Sequence, residues 1–206
     1  MGHKFSEIAF TPKVKALQER HGSRRAYSRN EAGPSHHDSL GQAEAEFISA
    51  RDSFYMASVG ETGWPYVQHR GGPPGFLRVL DQNTIGFADY RGNRQYISTG
   101  NITADDRVSL FLMDYPNRAR LKIFGRARIA GSEDTESLAI LESPAYGARI
   151  ERGILISIEA VDWNCSQHIT PRFTLQEIEA KTAELRQRII QLESELYGRV
   201  HSDSEE

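Results

Sequence analysis

Short apolar stretches recur along the middle of the chain, between Ser53 and Trp163, with turn signals between them. Their lengths and close spacing are typical of strands in antiparallel β-structure. Residues 60–63 and 81–83 have the composition of hairpin turns. A helical interruption is predicted near residues 93–99. The pattern therefore predicts a mainly β protein with peripheral helices, folded as an antiparallel barrel. The predicted strands have the sequences SFYMASV, YVQHR, FLRVL, TIGFAD, RVSLFLMD, ARLKIFGRARI and GILISIEAVDW.

The most regular alternation covers residues 118–129. Cations occupy even positions there and apolar residues occupy odd positions, which puts the two kinds on opposite faces of a strand. A solvated face is the ordinary interpretation of such a run, and an anion site is the alternative. The cations are Arg118, Arg120, Lys122, Arg126 and Arg128.

Helical patterns flank this region. Thr11 and Pro12 have the composition of a helix start, and a second short helix is predicted over residues 42–50. Residues 23–40 show no period and indicate a loop or extended arm. Over residues 174–197, apolar residues follow a heptad spacing that ends at Gly198. We expect an N-terminal helix and arm (1–46), a barrel (47–172), a C-terminal amphipathic helix (173–198) and a disordered tail (199–206).

Charge and composition narrow the possible partners. The formal net charge is −3, yet the segment from Arg70 to Arg128 holds ten Lys or Arg and five Asp. A local excess of five positive charges suits a small anion better than a nucleic acid. The single cysteine, Cys165, excludes an internal disulfide and a cysteine zinc cluster, and no metal site is predicted. No apolar run approaches the ~18 residues of a membrane span, and no signal peptide is recognisable. We therefore expect a soluble, cytoplasmic protein without membrane or nucleic-acid partners.

Three segments carry candidate chemistry. The segment from Tyr90 to Gln95 follows a predicted strand and opens a helix, so it predicts either a phosphate site or an ordinary junction. The segment from Gln68 to Gly75 bends sharply, either to admit a flat ring or as a bulged hairpin corner. Residues 163–173 are polar and aromatic. They offer Asn164, Gln167, His168 and Arg172 as ligand contacts, with His168 and Arg172 on the substrate side. No catalytic triad is recognisable, so the catalytic residues stay unknown and a cofactor is expected to carry any redox chemistry.

GWPYVQHRGGPPGFLRVLD together with FADYRGNRQY resembles the pyridoxamine 5′-phosphate oxidase-like FMN-binding family, in its predicted flavin-nucleotide-binding branch. The resemblance covers roughly residues 47–172. It implies an FMN-binding split barrel that works as a homodimer with FMN at the subunit interface. Residues and resemblance together predict cofactor contacts at Gln68, His69, Arg70, Gly71, Phe87, Ala88, Asp89, Tyr90, Asn93, Arg94, Arg120, Lys122, Asn164 and Gln167.

The chain also departs from the family pattern. Gln68 and Pro73 stand where the family has Arg and Lys, and Arg120 stands where it has Gln. The phosphate turn falls on Gly92, Asn93 and Arg94, which lack the usual Ser-Arg-Lys sequence. These departures shift the expected phosphate charge to Arg70, Arg94, Arg120 and Lys122. They also put oxidation of pyridoxamine phosphate in doubt.

The resemblance implies an FMN flavoprotein, with an oxidoreductase acting on an unidentified small molecule as the favoured function. Two alternatives stay open at this point. One is a non-catalytic flavin-binding or flavin-sensing protein, and the other is a haem-binding split barrel.

Overall fold

The computed structural model describes residues 3–31, 37–143, 145–163 and 165–202. In this part of the chain, seven strands form one sheet, and the helices are six short ones and a C-terminal helix of 28 residues. The strands are β1 (Ser53–Val59), β2 (Pro65–Gly71), β3 (Arg78–Asp81), β4 (Thr84–Tyr90), β5 (Arg107–Asp114), β6 (Ala119–Ala130) and β7 (Ile150–Trp163). The helices are α1 (His3–Ala9), α2 (Pro12–Arg20), α3 (Arg24–Ser28), α4 (Gln42–Ser49), α5 (Ile97–Ala104), α6 (Thr135–Leu141) and α7 (Leu175–Ser202).

The seven strands form a single sheet in the order β2-β1-β5-β6-β7-β4-β3. Each neighbouring pair is antiparallel. The predicted hairpin turns are confirmed: the Gly63 amide donates to the Gly60 carbonyl at 2.7 Å, and the Asn83 amide donates to the Asp81 carboxylate at 2.7 Å. All the predicted strands are therefore present, and the mainly β fold class with peripheral helices is confirmed.

The sheet curls until its opposite ends meet. Phe54 on β1 and Phe87 on β4 are separated by three strands in the sheet, yet their ring centroids lie 5.2 Å apart. Arg70 on β2 reaches Asp89 on β4, with 2.6 Å between the guanidinium and carboxylate atoms. Because β2 and β3 are the two edges of this curled sheet, the architecture is a split barrel.

A cluster of aromatic rings fills the barrel beside the glycine-rich segment. Phe76 packs on Phe54 and Phe87, with ring centroids 5.7 and 6.5 Å apart, and all three rings are buried. A Cβ atom on Gly72 would lie 2.7 Å from the Phe76 ring, closer than real contacts allow. Gly72 therefore has to be a glycine because the Phe76 ring of the protein itself packs against its backbone.

The predicted alternation is confirmed along β6, where Leu121, Ile123 and Ala127 are buried and the cations of the strand lie on the other face. Arg118 is not part of that face, because it precedes the strand and has a left-handed φ of 53°. Several of those cations have carboxylate partners. Arg126 pairs with Asp106 and Glu159, and Arg128 pairs with Asp134. The end of this face around Arg126 and Arg128 is thus a charge-balanced, solvated surface.

The N-terminal part of the chain departs from the prediction of an arm without regular structure. Residues 24–28 form α3, followed by a 3-10 turn at Arg29–Glu31. Glu31 accepts from Lys15 at 2.5 Å and from Arg24 at 2.6 Å, which folds α3 against α2. Ion pairs that distant in sequence leave no periodic signal. Residues 32–36 of the predicted arm lie outside the described residues.

Helix α1 was also missed by the sequence pattern. The buried Asp38 carboxylate accepts from the Lys4 and Phe5 amides at 3.3 Å and from the Val161 amide at 3.1 Å, which ties the start of α1 to β7. The Phe5 ring stacks on Phe124 at 4.8 Å. Tertiary contacts, rather than helix pattern, hold this short helix in place.

Two helix ends differ from the predicted ones. Helix α5 begins at Ile97 because Arg94 and Tyr96 adopt left-handed backbone angles, with φ of 61° and 55°, which a helix cannot include. Helix α7 continues through Gly198 to Ser202, so residues 199–202 of the predicted disordered tail are helical, and residues 203–206 lie outside the described residues. A glycine inside a helix costs only about 1 kcal/mol relative to alanine and does not stop it.

Two compact units make up the chain. The first comprises residues 1–114 and 118–168, and the second comprises residues 115–117 and 169–206. In the second unit, α7 begins with a capping box: the Thr174 amide donates to Glu177 at 2.7 Å, and the Glu177 amide donates to the Thr174 hydroxyl at 3.2 Å. Among the described residues, no helix has the length and apolar character needed to cross a bilayer.

Candidate functional site

A cavity of about 310 Å³ lies in the first unit, lined by residues of β2, β4, the loop after β4 and the start of α5, with Glu151 from β7. Its two principal walls, β2 and β4, come from opposite halves of the sheet order. Pockets for small ligands typically start near 300 Å³. The cavity thus has the size of a small-molecule site that exists only because the sheet curls.

The start of α5 forms one end of the cavity. Ile97, Ser98 and Thr99 line it, and their helix has no side-chain hydrogen bond at its N-cap, Tyr96. The first amides of a helix have no partner within the helix and carry a partial positive charge. This end of the cavity therefore favours an anion.

Arg94 stands beside this helix start. Its Nε donates to the Tyr96 hydroxyl at 2.9 Å, and the Arg152 guanidinium lies 4.8 Å from the centroid of the Tyr96 ring. The hydrogen bond to Tyr96 raises the pKa of Arg94 further, so the side chain is a permanent cation at the cavity wall. A guanidinium next to free helix amides is a strong combination for binding phosphate.

A second charged group, centred on Asp89, lies deeper in the site. Its carboxylate accepts from Arg70 at 2.6 Å and lies 3.4 Å from the Arg152 Nε. Burial raises the pKa of the Asp89 carboxyl above its ordinary value, while Arg70 and Arg152 offset part of that effect. Arg152 also pairs with Glu151 at 2.9 Å. These ion pairs connect β2 to β4 and β7. Within them, the Arg70 guanidinium already has a carboxylate partner, Asp89.

Most of the predicted cofactor residues converge on this cavity. Those that line it are Gln68, His69, Arg70, Gly71, Phe87, Ala88, Asp89, Tyr90, Asn93 and Arg94. The hydroxyl of Tyr90 and the Nε of Arg70 are buried without a hydrogen-bond partner among the described residues. Unsatisfied buried donors of this kind are costly unless a ligand or water meets them.

The remaining predicted contacts lie elsewhere. Lys122 is 3.8 Å from Asp162 and lies over the Phe5 ring, and Arg120 pairs in register with Met113; neither lines the cavity. Gln167 and His168 are exposed. In the second unit, the Arg172 guanidinium lies 4.8 Å from the centroid of the Tyr115 ring. Asn164 lies outside the described residues. Contacts from these residues to a ligand stay predictions.

The sequence pattern missed several lining residues. Tyr96, Ser98 and Thr99 line the cavity because α5 begins directly behind the predicted phosphate turn, and a correct helix start would have identified them. Glu151 enters from β7, whose pairing with β4 cannot be read from local sequence. Among the described residues, no group of three or more His, Cys, Asp or Glu side chains is placed to hold a metal ion.

The family model of pyridoxamine 5′-phosphate oxidase matches residues 40–187, well over half of the chain. This protein belongs to the pyridoxamine 5′-phosphate oxidase family. The matched segment contains every residue that lines the cavity. The cavity therefore lies within the segment that the family model matches.

The solved structures that match the chain are distant in sequence. HupZ of Group A Streptococcus is 16% identical, with a TM-score of 0.46 over 61% of this chain and 99% of that chain. A protein from Clostridium acetobutylicum related to general stress protein 26 is 13% identical, with a TM-score of 0.45 over 65% and 92%. An FMN-binding protein from Syntrophomonas wolfei is 10% identical, with a TM-score of 0.45 over 59% and 86%. No curated protein matches the chain.

Proposed function

We propose that this protein binds FMN in the cavity between β2, β4 and α5, with the phosphate at the start of α5. The observation that carries this proposal is the pairing of uncapped helix amides with Arg94 in a member of the pyridoxamine 5′-phosphate oxidase family. Both features bind a phosphate monoester through charge and hydrogen bonds. Arg94 and the amides of Ile97, Ser98 and Thr99 would hold that phosphate.

The charge balance of the site supports a dianionic ligand. Arg70, Arg91, Arg94 and Arg152 contribute four positive charges in and around the cavity, and Asp89 and Glu151 contribute two negative ones. The excess of two positive charges complements a phosphate monoester, which carries a charge of roughly −2 at neutral pH. Since Asp89 and Glu151 engage the other arginines, Arg94 is the cation best placed to meet the phosphate.

The favoured activity is oxidoreduction of a small molecule by the bound flavin, which would supply hydride or electron exchange. The residues of this chain would bind and orient the flavin: Gln68, His69 and Arg70 on β2, and Phe87 and Ala88 on β4. Steady-state assays with NADH, NADPH and pyridoxamine phosphate test turnover. Flavin binding without reduction or turnover would favour a flavin-sensing protein instead.

FMN binding itself is tested on the purified protein. The flavin absorption bands and the mass of the released cofactor are recorded first, followed by a titration of cofactor-free protein with FMN. Saturable binding with the spectrum of bound flavin is expected. A colourless protein that takes up no added FMN would refute the proposal, and a Soret band would indicate haem.

We also propose that the protein is a homodimer whose second copy covers the outer face of β1 and β2. Tyr55, Val59 and Val67 are 40%, 36% and 60% exposed, and strand register places them on one face. Trp64, at 77% exposure, follows the turn between these strands. An exposed apolar patch of this kind marks an interaction surface. The cavity volume is also at the small end of the range for ligand pockets, so a second subunit would cover the part of a long ligand that extends beyond the cavity.

The dimer surface can be tested by charge substitution. Val67→Glu should shift sedimentation toward the monomer, because it would bury an unpaired carboxylate at the interface. Leu17→Glu on α2 is the matched control, since Leu17 is similarly exposed at 54% but lies outside the proposed surface. A Val67→Glu protein that sediments like the unaltered protein would show that this surface is not required for the dimer.

A further inference from the structure

A buried hydroxyl on α5 donates a hydrogen bond to a polar side chain in the cavity. Ser98 is only 1% exposed, and its Oγ donates to Oε1 of Gln68 at 2.7 Å. Both residues line the cavity, Gln68 from β2 and Ser98 from the first turn of α5. This hydrogen bond connects the middle of a strand to the helix start assigned above to phosphate binding.

The hydrogen bond fixes which atoms the Gln68 amide presents to a ligand. A primary amide has one acceptor oxygen and two N–H donors, and the two ends are nearly equal in size. With Oε1 held by the Ser98 hydroxyl, the two protons on Nε2 are left for other partners. Gln68 is then presented as a donor and not as an acceptor.

We propose that Ser98 is a positioning residue that holds Gln68 as a hydrogen-bond donor to acceptor atoms of the bound ligand. The groups recognised would accept without donating, as do carbonyl and phosphate oxygens. This inference rests on the proposed flavin site. It assigns a role to a residue that stands where the family pattern has an arginine: the amide supplies directed donors without adding a positive charge.

A second hydrogen bond between α5 and the β1–β2 hairpin provides a matched control. Nδ2 of Asn101 donates to Oγ of Ser58 at 3.0 Å, and Ser58 is 2% exposed. Neither of these residues lines the cavity. Ser58→Ala therefore removes a contact that anchors α5 and leaves the orientation of Gln68 unchanged.

A double-mutant cycle tests the proposal with FMN as the probe. Ser98→Ala should weaken FMN binding about fivefold, the usual effect of one lost hydrogen bond. In a Gln68→Leu background the same substitution should have little further effect, because Ser98 acts through Gln68. Ser58→Ala should leave FMN affinity unchanged. Equal effects of Ser98→Ala in both backgrounds, or an equal loss in Ser58→Ala, would show a purely structural role and overturn the proposal.

The side-chain amide signals of Gln68 in ligand-free protein give a readout that does not depend on FMN. Ser98→Ala should shift these NMR signals and accelerate their hydrogen exchange, whereas Ser58→Ala should not. Unchanged Gln68 signals in Ser98→Ala would overturn the positioning role alone. Failure of the unaltered protein to bind FMN would instead overturn the proposed function, and with it the ligand assigned to Gln68. Thermal melting of each variant confirms that it is folded.

Discussion

Arg94 holds a backbone conformation that is unfavourable for any residue with a Cβ atom. Its φ is 61°, and Tyr96 two residues later has a φ of 55°. Each such residue costs of order 1 kcal/mol, and clusters of them occur at functional sites. The loop between β4 and α5 thus gives up stability to place a guanidinium beside the helix amides.

Arg94→Ala should weaken FMN binding more than tenfold, since it removes a charge-assisted contact to phosphate. Arg94→Lys keeps the charge and should retain most of the affinity. Arg94→Gly should bind as poorly as the alanine variant but melt at a higher temperature, because glycine accepts the left-handed backbone. Fluorescence titration and thermal melting measure both effects. Unchanged affinity in Arg94→Ala would place the phosphate elsewhere.

Asp89 is the shared carboxylate partner of two arginines at the cavity. Asp89→Asn would leave Arg70 and Arg152 facing a neutral amide in a largely buried place. Removing one partner of a buried ion pair leaves the other charge buried and uncompensated, which should lower the free energy of unfolding by roughly 3 kcal/mol. Chemical denaturation measures this loss, and the double variant Arg70→Met with Asp89→Leu should recover part of it. A double variant less stable than Asp89→Asn would contradict this explanation.

Among the secondary-structure elements, the α2–α3 pair should lose stability in acid. Hydrogen bonds from Arg24 and Lys15 lower the pKa of Glu31 from 4.5 to about 2. A carboxyl whose pKa is lower in the folded state stabilises that state above its unfolded pKa, and the effect is lost as pH falls through the folded value. Stabilisation of α3 should therefore decline between about pH 4.5 and pH 2.

Hydrogen exchange of the α2 and α3 amides, followed as a function of pH, measures this decline. Glu31→Gln should show weaker protection at neutral pH and little further change on acidification. The amplitude should be modest because the ion pairs are partly exposed to water. Protection of α3 that is independent of pH in the unaltered protein would exclude Glu31 as its source.

The sequence predicted the strands well because they are separated by recognisable turn residues and several carry a period of two, as β6 shows with buried Leu121 and Ile123. Elements held by distant partners could not be predicted. Helix α1 depends on Asp38, more than thirty residues away, and α3 depends on Glu31. The same difference applies to the residues that line the cavity. Local turn residues predicted Arg94, whereas Glu151 lines the cavity only because β7 pairs with β4, which the local sequence does not show.

For the molecule as a whole, α7 leaves an apolar seam uncovered within its own unit. Leu175, Ile178, Leu185, Ile189 and Leu192 are between 41% and 80% exposed. They follow the heptad spacing of a helix that pairs with another helix. We expect this seam to pair between two copies of the chain.

Ending the chain after Phe173 should then shift sedimentation toward the monomer. Leu185→Glu together with Ile189→Glu should act in the same way in the full chain, because both place charge on the seam. Ile190→Glu is the matched control, since Ile190 is 65% exposed but lies beside the seam. Sedimentation that is the same for all these variants would exclude self-association through α7.

The curled sheet also has a consequence for the order in which the molecule folds. The β1–β2 hairpin and the β3–β4 hairpin pair locally, but β5, β6 and β7 lie between them in the sheet, so we expect the two hairpins to meet only after these three strands have paired. The cavity walls therefore come together late, since long-range pairing is the slow part of folding. A ligand of this cavity should leave the refolding rate nearly unchanged and slow unfolding, because it binds a surface that the transition state has yet to complete.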